Sequence, residues 1–326
     1  MILPGLQLDA VERAARHLAQ GALVAFPTET VYGLGARADD DAAVARIFHA
    51  KGRPSDHPLI VHVADAAAAQ HFAASWPADT AQRLAQAFWP GPLTLIVARR
   101  PDVGAAAAGG QNSIGLRCPA HPVAQALLQA AQGQGVWGVA APSANRFGRI
   151  SPTTAAHVAT EFDDELWVLD GGPCAVGIES TIIDCTRPQP VLLRPGVLLR
   201  AQIEAVLEQT LGEPGIGAPR ASGTLAAHYA PRAPLRLMGG EALSTALQVL
   251  GASPLKLAVY AHSVKRVPSG VLLRRMPTDA TAAAQELFAV LRELDDRAVQ
   301  LIWVETPPAG PEWEGVRDRL QRAAAA

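Results

Sequence analysis

Apolar positions 11, 14, 15 and 18 (Val11, Ala14, Ala15, Leu18) fall on the i, i+3, i+4, i+7 spacing of one helical stripe. Asp9 is placed to cap that helix, which runs through Gln20, and Gly21 stops it. The period then changes. "ALVAF" (22–26), "LIVHV" (59–63), "LTLIVA" (93–98), "SIGLR" (113–117), "GVAAP" (138–142), "STIID" (180–184) and "VLLR" (191–194) are short apolar runs bounded by turn residues, and each predicts a strand. Between the first two, "DDDAAVARIFHAKGR" predicts a helix that delivers Lys51 and Arg53 at or beyond its C-terminal end.

Strands mixed with helices up to residue 210 predict an α/β domain around a twisted, mixed sheet with flanking helices. Residues 211–233, "LGEPGIGAPRASGTLAAHYAPRA", hold neither period and are rich in Pro, Gly and Ala, which predicts a linker or extended arm. From 234 to 326, "PLRLM", "LKLAVYA" and "VQLIWVE" alternate with helical stretches near 241–250, 279–294 and 312–324. That rhythm predicts a second, smaller, Rossmann-like α/β domain of ordinary domain size.

Composition narrows the chemistry. The 326 residues are 49% hydrophobic and carry a formal charge of only -2, with no run of like charges longer than the three aspartates at 39–41, so any site for a charged ligand must be local. The three cysteines, Cys118, Cys174 and Cys185, make neither a CxxC pair nor an even set, which argues against a disulfide framework or structural zinc and for a reducing cytosol. The N-terminus lacks the pattern of a signal peptide, and no apolar run approaches the roughly 20 residues of a membrane span. A cytoplasmic protein with no membrane segment is the expectation.

The polar residues that stand out cluster at strand ends. In "KGRPSDHPLIVHV" (51–63), strand alternation puts Leu59, Val61 and Val63 on one face and Ile60 and His62 on the other. Pro54 and Pro58 stiffen the loop that would hold Lys51 and Arg53 near His62, and clustered cations on a stiff loop suit phosphate oxygens. Taken singly, these are a core histidine and two solvated cations. "FPTETVYGLGA" (26–36), with Thr28, Thr30 and two glycines, reads as a Gly-rich corner after a strand, but it is neither GxGxxG nor a P-loop.

"APSANRFGRISPT" (141–153) gathers Ser143, Asn145, Arg149 and Ser151 in one turn-forming loop. Ser113 and Arg117, four apart on a strand, share a face. An inward arginine needs an anionic partner, either a substrate carboxylate or an internal Asp or Glu. Glu179, Ser180 and Thr181 open one strand and Arg194 closes the next. With neither GxSxG nor HExxH in the chain, the set points to binding and positioning rather than covalent catalysis, which suits adenylyl transfer.

"PTETVYGLG", "KGRPSDHPLIVHV", "FWPGPLTLI", "LRCPAHP", "APSANRFGRISPT", "GIESTIID" and "LLRPG" occur in the order of the YrdC-like domain. With "HYAP" (228–231) and the small α/β domain after it, nearly the whole chain resembles the long form of the threonylcarbamoyl-AMP synthase family. The resemblance implies a nucleotidyltransferase that joins L-threonine, bicarbonate or CO2 and ATP into threonylcarbamoyl-AMP and pyrophosphate. It further implies a downstream threonylcarbamoyl transferase that modifies the adenosine beside the anticodon of tRNAs reading codons that start with A.

Carried over by motif, Thr30, His62, Arg117, the backbone of Ala141 and Ser180 would line the threonine site. Arg53, His57, Ser113, Ser143, Asn145, Ser151, Arg194 and Tyr229 would contact ATP, with Lys51 and Arg53 in the catalytic role. The resemblance implies a magnesium ion that arrives with ATP, with no protein ligand motif. His57 stands where the family has Asn and Ser113 where it has Thr; both can still hydrogen-bond. The arm with Tyr229 would fold over the nucleotide. Two rival readings are an RNA-binding module, disfavoured by the near-neutral charge, and the carbamoyl-transfer enzyme of hydrogenase maturation, which needs cysteine clusters that three cysteines cannot supply.

Overall fold

The apolar stripe near the N-terminus becomes the buried face of helix α1 (Leu8–Ala19), and with Ala10 its residues pack against Val123, Ala124, Leu127 and Leu128 of a second helix, Pro122–Gln132. The helix begins two residues earlier than predicted. Gln7 is the N-cap and Asp9 lies in the first turn, where its charge faces the positive end of the helix dipole. This computed structural model describes all residues except Ile216 and residues 252–254. The chain divides into two units, Met1–Phe147 with Ser151–Thr224, and Gly148–Ile150 with Leu225–Ala326.

The first unit is built on ten strands: β1 (Ile2–Pro4), β2 (Val24–Phe26), β3 (Gly33–Arg37), β4 (Ile60–His62), β5 (Leu93–Ala98), β6 (Ser113–Arg117), β7 (Val139–Ala140), β8 (Trp167–Asp170), β9 (Thr181–Asp184) and β10 (Val191–Arg194). Their order is β1-β8-β2-β3-β7-β4-β6-β5-β9-β10, with parallel and antiparallel neighbours interspersed, so the predicted mixed sheet is present. All seven predicted strands form. β1, β3 and β8 are additional.

β3 departs from the reading of "GLG" as a turn. Gly33 and Gly35 lie in a strand between β2 and β7, and the amide of Leu34 is given to Pro142 O at 2.8 Å. The glycines serve close approach. A Cβ on Gly35 would meet Val139 Cγ1 at 2.8 Å and Phe26 Cε1 at 2.9 Å.

One face of this sheet carries the main core, including Leu34, Leu59, Val61, Val63, Leu95 and Leu116. On the opposite face, Val24, Phe26, Val139 and Leu169 pack with α1 and the helix Pro122–Gln132. Further along that same face Ile60, Ile96, Ile182, Val191 and Leu193 form a smaller cluster against which Ala218 and Ala221 of the arm pack. Where one cover gives way to the other, the face carries polar side chains.

Among the described residues the second unit has four parallel strands, β11 (Leu235–Met238), β12 (Leu257–Ala261), β13 (Leu272–Arg275) and β14 (Leu301–Glu305), in the order β11-β14-β12-β13. Helices Gly240–Leu250, Ala280–Asp296 and Glu314–Ala324 accompany them, as the β-α rhythm predicts; β13 is an addition. Asp295 is 5% exposed and takes Arg149, the Arg232 guanidinium and the amide of Arg232, which ties Gly148–Ile150 into this unit.

Gly35→Ala should lower the stability of the first unit by about 1 to 3 kcal/mol, because the added methyl overlaps two rigid core side chains. The check is a calorimetric Tm, expected to fall by several degrees. An unchanged Tm would show that β2 and β7 can give way.

Candidate active site

Strand register creates the centre of the site. β4 and β6 run parallel with His62 opposite Arg117, so both side chains reach the same end of the same sheet face. Ile60, Ser113, Gly115 and Arg117 share that face, while Ile114 and Leu116 turn into the main core, as the alternation predicts. His62 is 3% exposed, with its ring edge-on to Phe26 at 5.8 Å. Burial, and secondarily the Arg117 charge, push the His62 ring down to about 3, so it is neutral at physiological pH.

Arg117 is 3% exposed and its guanidinium is engaged on three sides. Nε donates to Gly91 O at 3.3 Å, Nη1 to Thr30 Oγ1 at 2.9 Å, and Nη2 lies 2.7 Å from Glu29 Oε1. The anionic partner that an inward arginine requires is thus supplied by the protein itself. Glu29, which sequence reasoning passed over, also accepts the amide of Ala120 through Oε2 at 3.1 Å. Its only signal was its place between Thr28 and Thr30. The Thr28 hydroxyl is spent on Val31 O at 2.7 Å, so the Thr30 hydroxyl donates to Thr28 and receives Arg117. Ala141 commits its amide to Ile60 O at 2.9 Å, which leaves its carbonyl as the polar group it can present.

A second cluster forms around the loop 141–147. Helix Asp41–Lys51 ends at Gly52, which holds φ +62, and turns Lys51 inward. Lys51 is 3% exposed, donates to Ser143 O at 2.6 Å and also to Asn145 O, so it is no solvated cation. Burial, then the neighbouring Arg53, hold its ammonium well below the ordinary lysine value. Arg53 lies over the Phe147 ring at 5.8 Å and donates to Pro58 O at 3.0 Å; His57 meets the same ring at 5.5 Å. Lys51, Arg53, His57, Ser143 and Asn145 are therefore brought together.

Ser180, at the entry to β9, shares a 2.8 Å hydrogen bond with Thr94 Oγ1. Arg194 donates to Ser180 O from Nε at 3.0 Å and Nη2 at 2.8 Å, and from Nη1 to Ser222 O at 2.7 Å, which fastens the arm to the sheet. Arg220 adds a 2.7 Å bond to Asp56 and takes Gln111 Oε1 on its amide. Ser113 lines the groove beneath Ala221 and Ser222 with Thr94 and Ile96. Ser151 is fully buried and donates to Glu179 Oε1 at 2.5 Å. Tyr229 belongs to the second unit, where its ring packs on Phe288 at 5.4 Å beneath Arg319, with φ +62. The three cysteines are buried, and burial raises Cys118 to about 11 and Cys174 to about 12, so neither is a ready nucleophile.

Residues 16–196 match the family profile described as "Telomere recombination" (Sua5, YciO, YrdC), and residues 198–325 match the one described as the C-terminal domain of threonylcarbamoyl-AMP synthase. Threonylcarbamoyl-AMP synthase of Bacillus subtilis is 38% identical over 96% of this chain and 92% of its own length. That of Pyrococcus abyssi is 38% identical over 95% and 92%. The chain belongs to the threonylcarbamoyl-AMP synthase family. The crystal structure of Pyrococcus abyssi Sua5 complexed with L-threonine superposes with a TM-score of 0.91 at 34% identity, covering 99% of this chain and 97% of that one. A second structure, of a variant of the same archaeal protein with adjacent His and Tyr replaced by alanine, gives 0.90 at 33% identity over 99% and 96%. The threonylcarbamoyl-AMP synthase family thus accounts for both domains, including the small parallel-sheet domain.

The buried neutral state of His62 has a measurable consequence. An unfolded chain protonates this histidine below about pH 6.5, whereas the folded chain resists until about pH 3, so stability falls as pH drops through that window. His62→Gln should flatten the pH dependence of the unfolding free energy there by up to about 1.4 kcal/mol per pH unit. Urea titrations between pH 7 and 4 measure it; parallel slopes would mean that His62 is charged in the fold.

Proposed function

We propose that the chain is an L-threonylcarbamoyladenylate synthase, forming threonylcarbamoyl-AMP and pyrophosphate from L-threonine, bicarbonate or CO2, and ATP. The observation that carries this reading is the buried Arg117 beside Thr30 and His62 at the ends of parallel strands, in a chain that follows its relatives over nearly their whole length. Arg117 offers a planar fork for a carboxylate. Thr30, His62, the Ala141 carbonyl and Ser180 complete the amino-acid side.

The nucleotide side is the Lys51 and Arg53 cluster. The threonine ammonium gives up a proton to solvent, the free amine bonds to the carbon of CO2 and sheds a second proton to leave a carbamate, a carbamate oxygen attacks the α-phosphorus, and the bond to the pyrophosphate oxygen breaks. Lys51 and Arg53 act on the charge that builds on the leaving group. A polyphosphate beside Lys51 also restores its positive charge against the burial that depresses it. Ser143, Asn145, His57, Ser113, Ser151 and Arg194 supply the remaining polar contacts, and Tyr229 of the second unit is assigned to the nucleotide by its motif. Among the described residues, no group of three or more His, Cys, Asp or Glu is placed to hold a metal ion. Magnesium would then be held by ATP oxygens and water, supplying charge neutralisation.

The product is a mixed anhydride that hydrolyses readily, so a transferase must take it up, here for the adenosine beside the anticodon of tRNAs reading codons that start with A. Such an enzyme works in the cytoplasm; among the described residues, no helix is long and apolar enough to cross a membrane.

Purified protein should release pyrophosphate from ATP only when both L-threonine and bicarbonate are present, with L-serine much less effective. No threonine-dependent release from protein shown to be folded would overturn the reading in favour of RNA binding without adenylyl transfer. Arg117→Ala should raise the KM for threonine at least tenfold more than that for ATP, because the carboxylate loses its fork. Equal effects on both substrates would remove Arg117 from the amino-acid site.

A further inference from the structure

Two buried polar atoms meet near the end of β6 without an aligned hydrogen-bond partner among the described residues: Glu29 Oε1 and Arg117 Nη2. Glu29 Oε1 and Arg117 Nη2 are 2.7 Å apart, an ion pair by distance, yet the N–H is not aligned on the oxygen. Both side chains are nearly enclosed, at 10% and 4% exposure. Buried polar atoms left unsatisfied are costly, and where several converge they mark a place for a ligand.

We infer that Glu29 reads the α-ammonium of the substrate and makes the site selective for a zwitterionic amino acid. This rests on the assignment of the amino-acid side proposed above. The argument is geometric and electrostatic. In an α-amino acid the nitrogen and the carboxylate share one carbon, so they lie on the order of 3 Å apart from covalent bond lengths alone. A carboxylate seated on Arg117 therefore carries its ammonium into the shell next to the guanidinium, where Glu29 Oε1 stands 2.7 Å from Nη2.

Glu29 is held there by the amide of Ala120 and retains acceptor capacity on Oε1. Charge balance selects in the same direction. Arg117 with Glu29 is a neutral pair, and a zwitterion adds no net charge, so four alternating charges fill the site. The matching 2-hydroxy acid, an anion, would bring a second buried carboxylate against Glu29 with nothing to offset it. A role limited to neutralising Arg117 would predict no such preference.

Calorimetric titration compares L-threonine with 2,3-dihydroxybutanoate of the same stereochemistry, which replaces the ammonium by a hydroxyl. Full-length protein should bind threonine at least thirtyfold more tightly; a ratio below threefold overturns the inference. In Glu29→Gln the ratio should collapse below threefold, with threonine weakened at least tenfold and the hydroxy acid unchanged or tighter. A folded Gln variant that keeps the original ratio also overturns it. Should that variant not fold, Glu29→Asp decides: drawing the carboxylate back by one methylene should weaken threonine at least fivefold and spare the hydroxy acid, and equal weakening of both counts against the role. Wild-type protein that binds no L-threonine refutes the assignment of the amino-acid side itself, a failure separate from that of Glu29.

Discussion

A guanidinium buried at the end of a strand is the constraint around which the first unit is arranged. Arginine cannot shed its proton, and an unpaired buried cation costs several kcal/mol, so Arg117 dictates its surroundings. The turn before β5 brings the Gly91 carbonyl to Nε, the loop after β2 brings Thr30 and Glu29 to the two terminal nitrogens, and β4 sets His62 alongside. Three segments far apart in sequence are thereby fixed to one point. The sheet can do this because β6 lies between β4 and β5, with its alternate residues Ile114 and Leu116 locked into the core behind it.

Lys51 shows the opposite solution to the same problem. It is as deeply buried as Arg117, but its ammonium can be depressed toward neutrality, and carbonyls of Ser143 and Asn145 receive it in place of a carboxylate. A permanent cation with an internal counter-ion suits a partner that brings both signs of charge. A cation held by neutral carbonyls and crowded by Arg53 suits a partner that brings excess negative charge. The chain uses Arg and Lys at these two places in keeping with their different chemistry.

What could be read from sequence follows from how local the signal is. The strands 93–98, 113–117 and 191–194 form at the predicted residues because their alternation or apolar run is self-contained and their ends are set by turn residues. β3 was hidden because its "GLGAR" is chosen for what Phe26 and Val139 leave room for, a constraint imposed from neighbouring strands and invisible along the chain. Glu29 was missed for the same kind of reason: its partner lies on β6, and only the folded sheet puts the two in contact. The arm shows neither period in its sequence, which leaves its contacts unreadable there, yet Ala218, Ala221 and Ser222 have defined places on the first unit, set by the Ile60, Ile96 and Ile182 cluster and by Arg194.

That arm explains the shape of the site face. Over β1, β8, β2, β3 and β7 two helices bring enough apolar side chains to seal the sheet, whereas over β4, β6, β5 and β9 the apolar residues Ile60, Ile96 and Ile182 are interrupted by small or polar ones: Gly115, Ser113, Thr94 and Ser180. That broken apolar surface offers a helix no continuous strip for its apolar stripe. An extended segment needs only a few alanine-sized contacts and backbone acceptors, and Arg194 supplies the donors by binding the carbonyl of Ser180 and the carbonyl of Ser222 with one guanidinium. The polar face is thus left open enough to hold ligands, and the segment lying across it is fastened to the serine that opens β9.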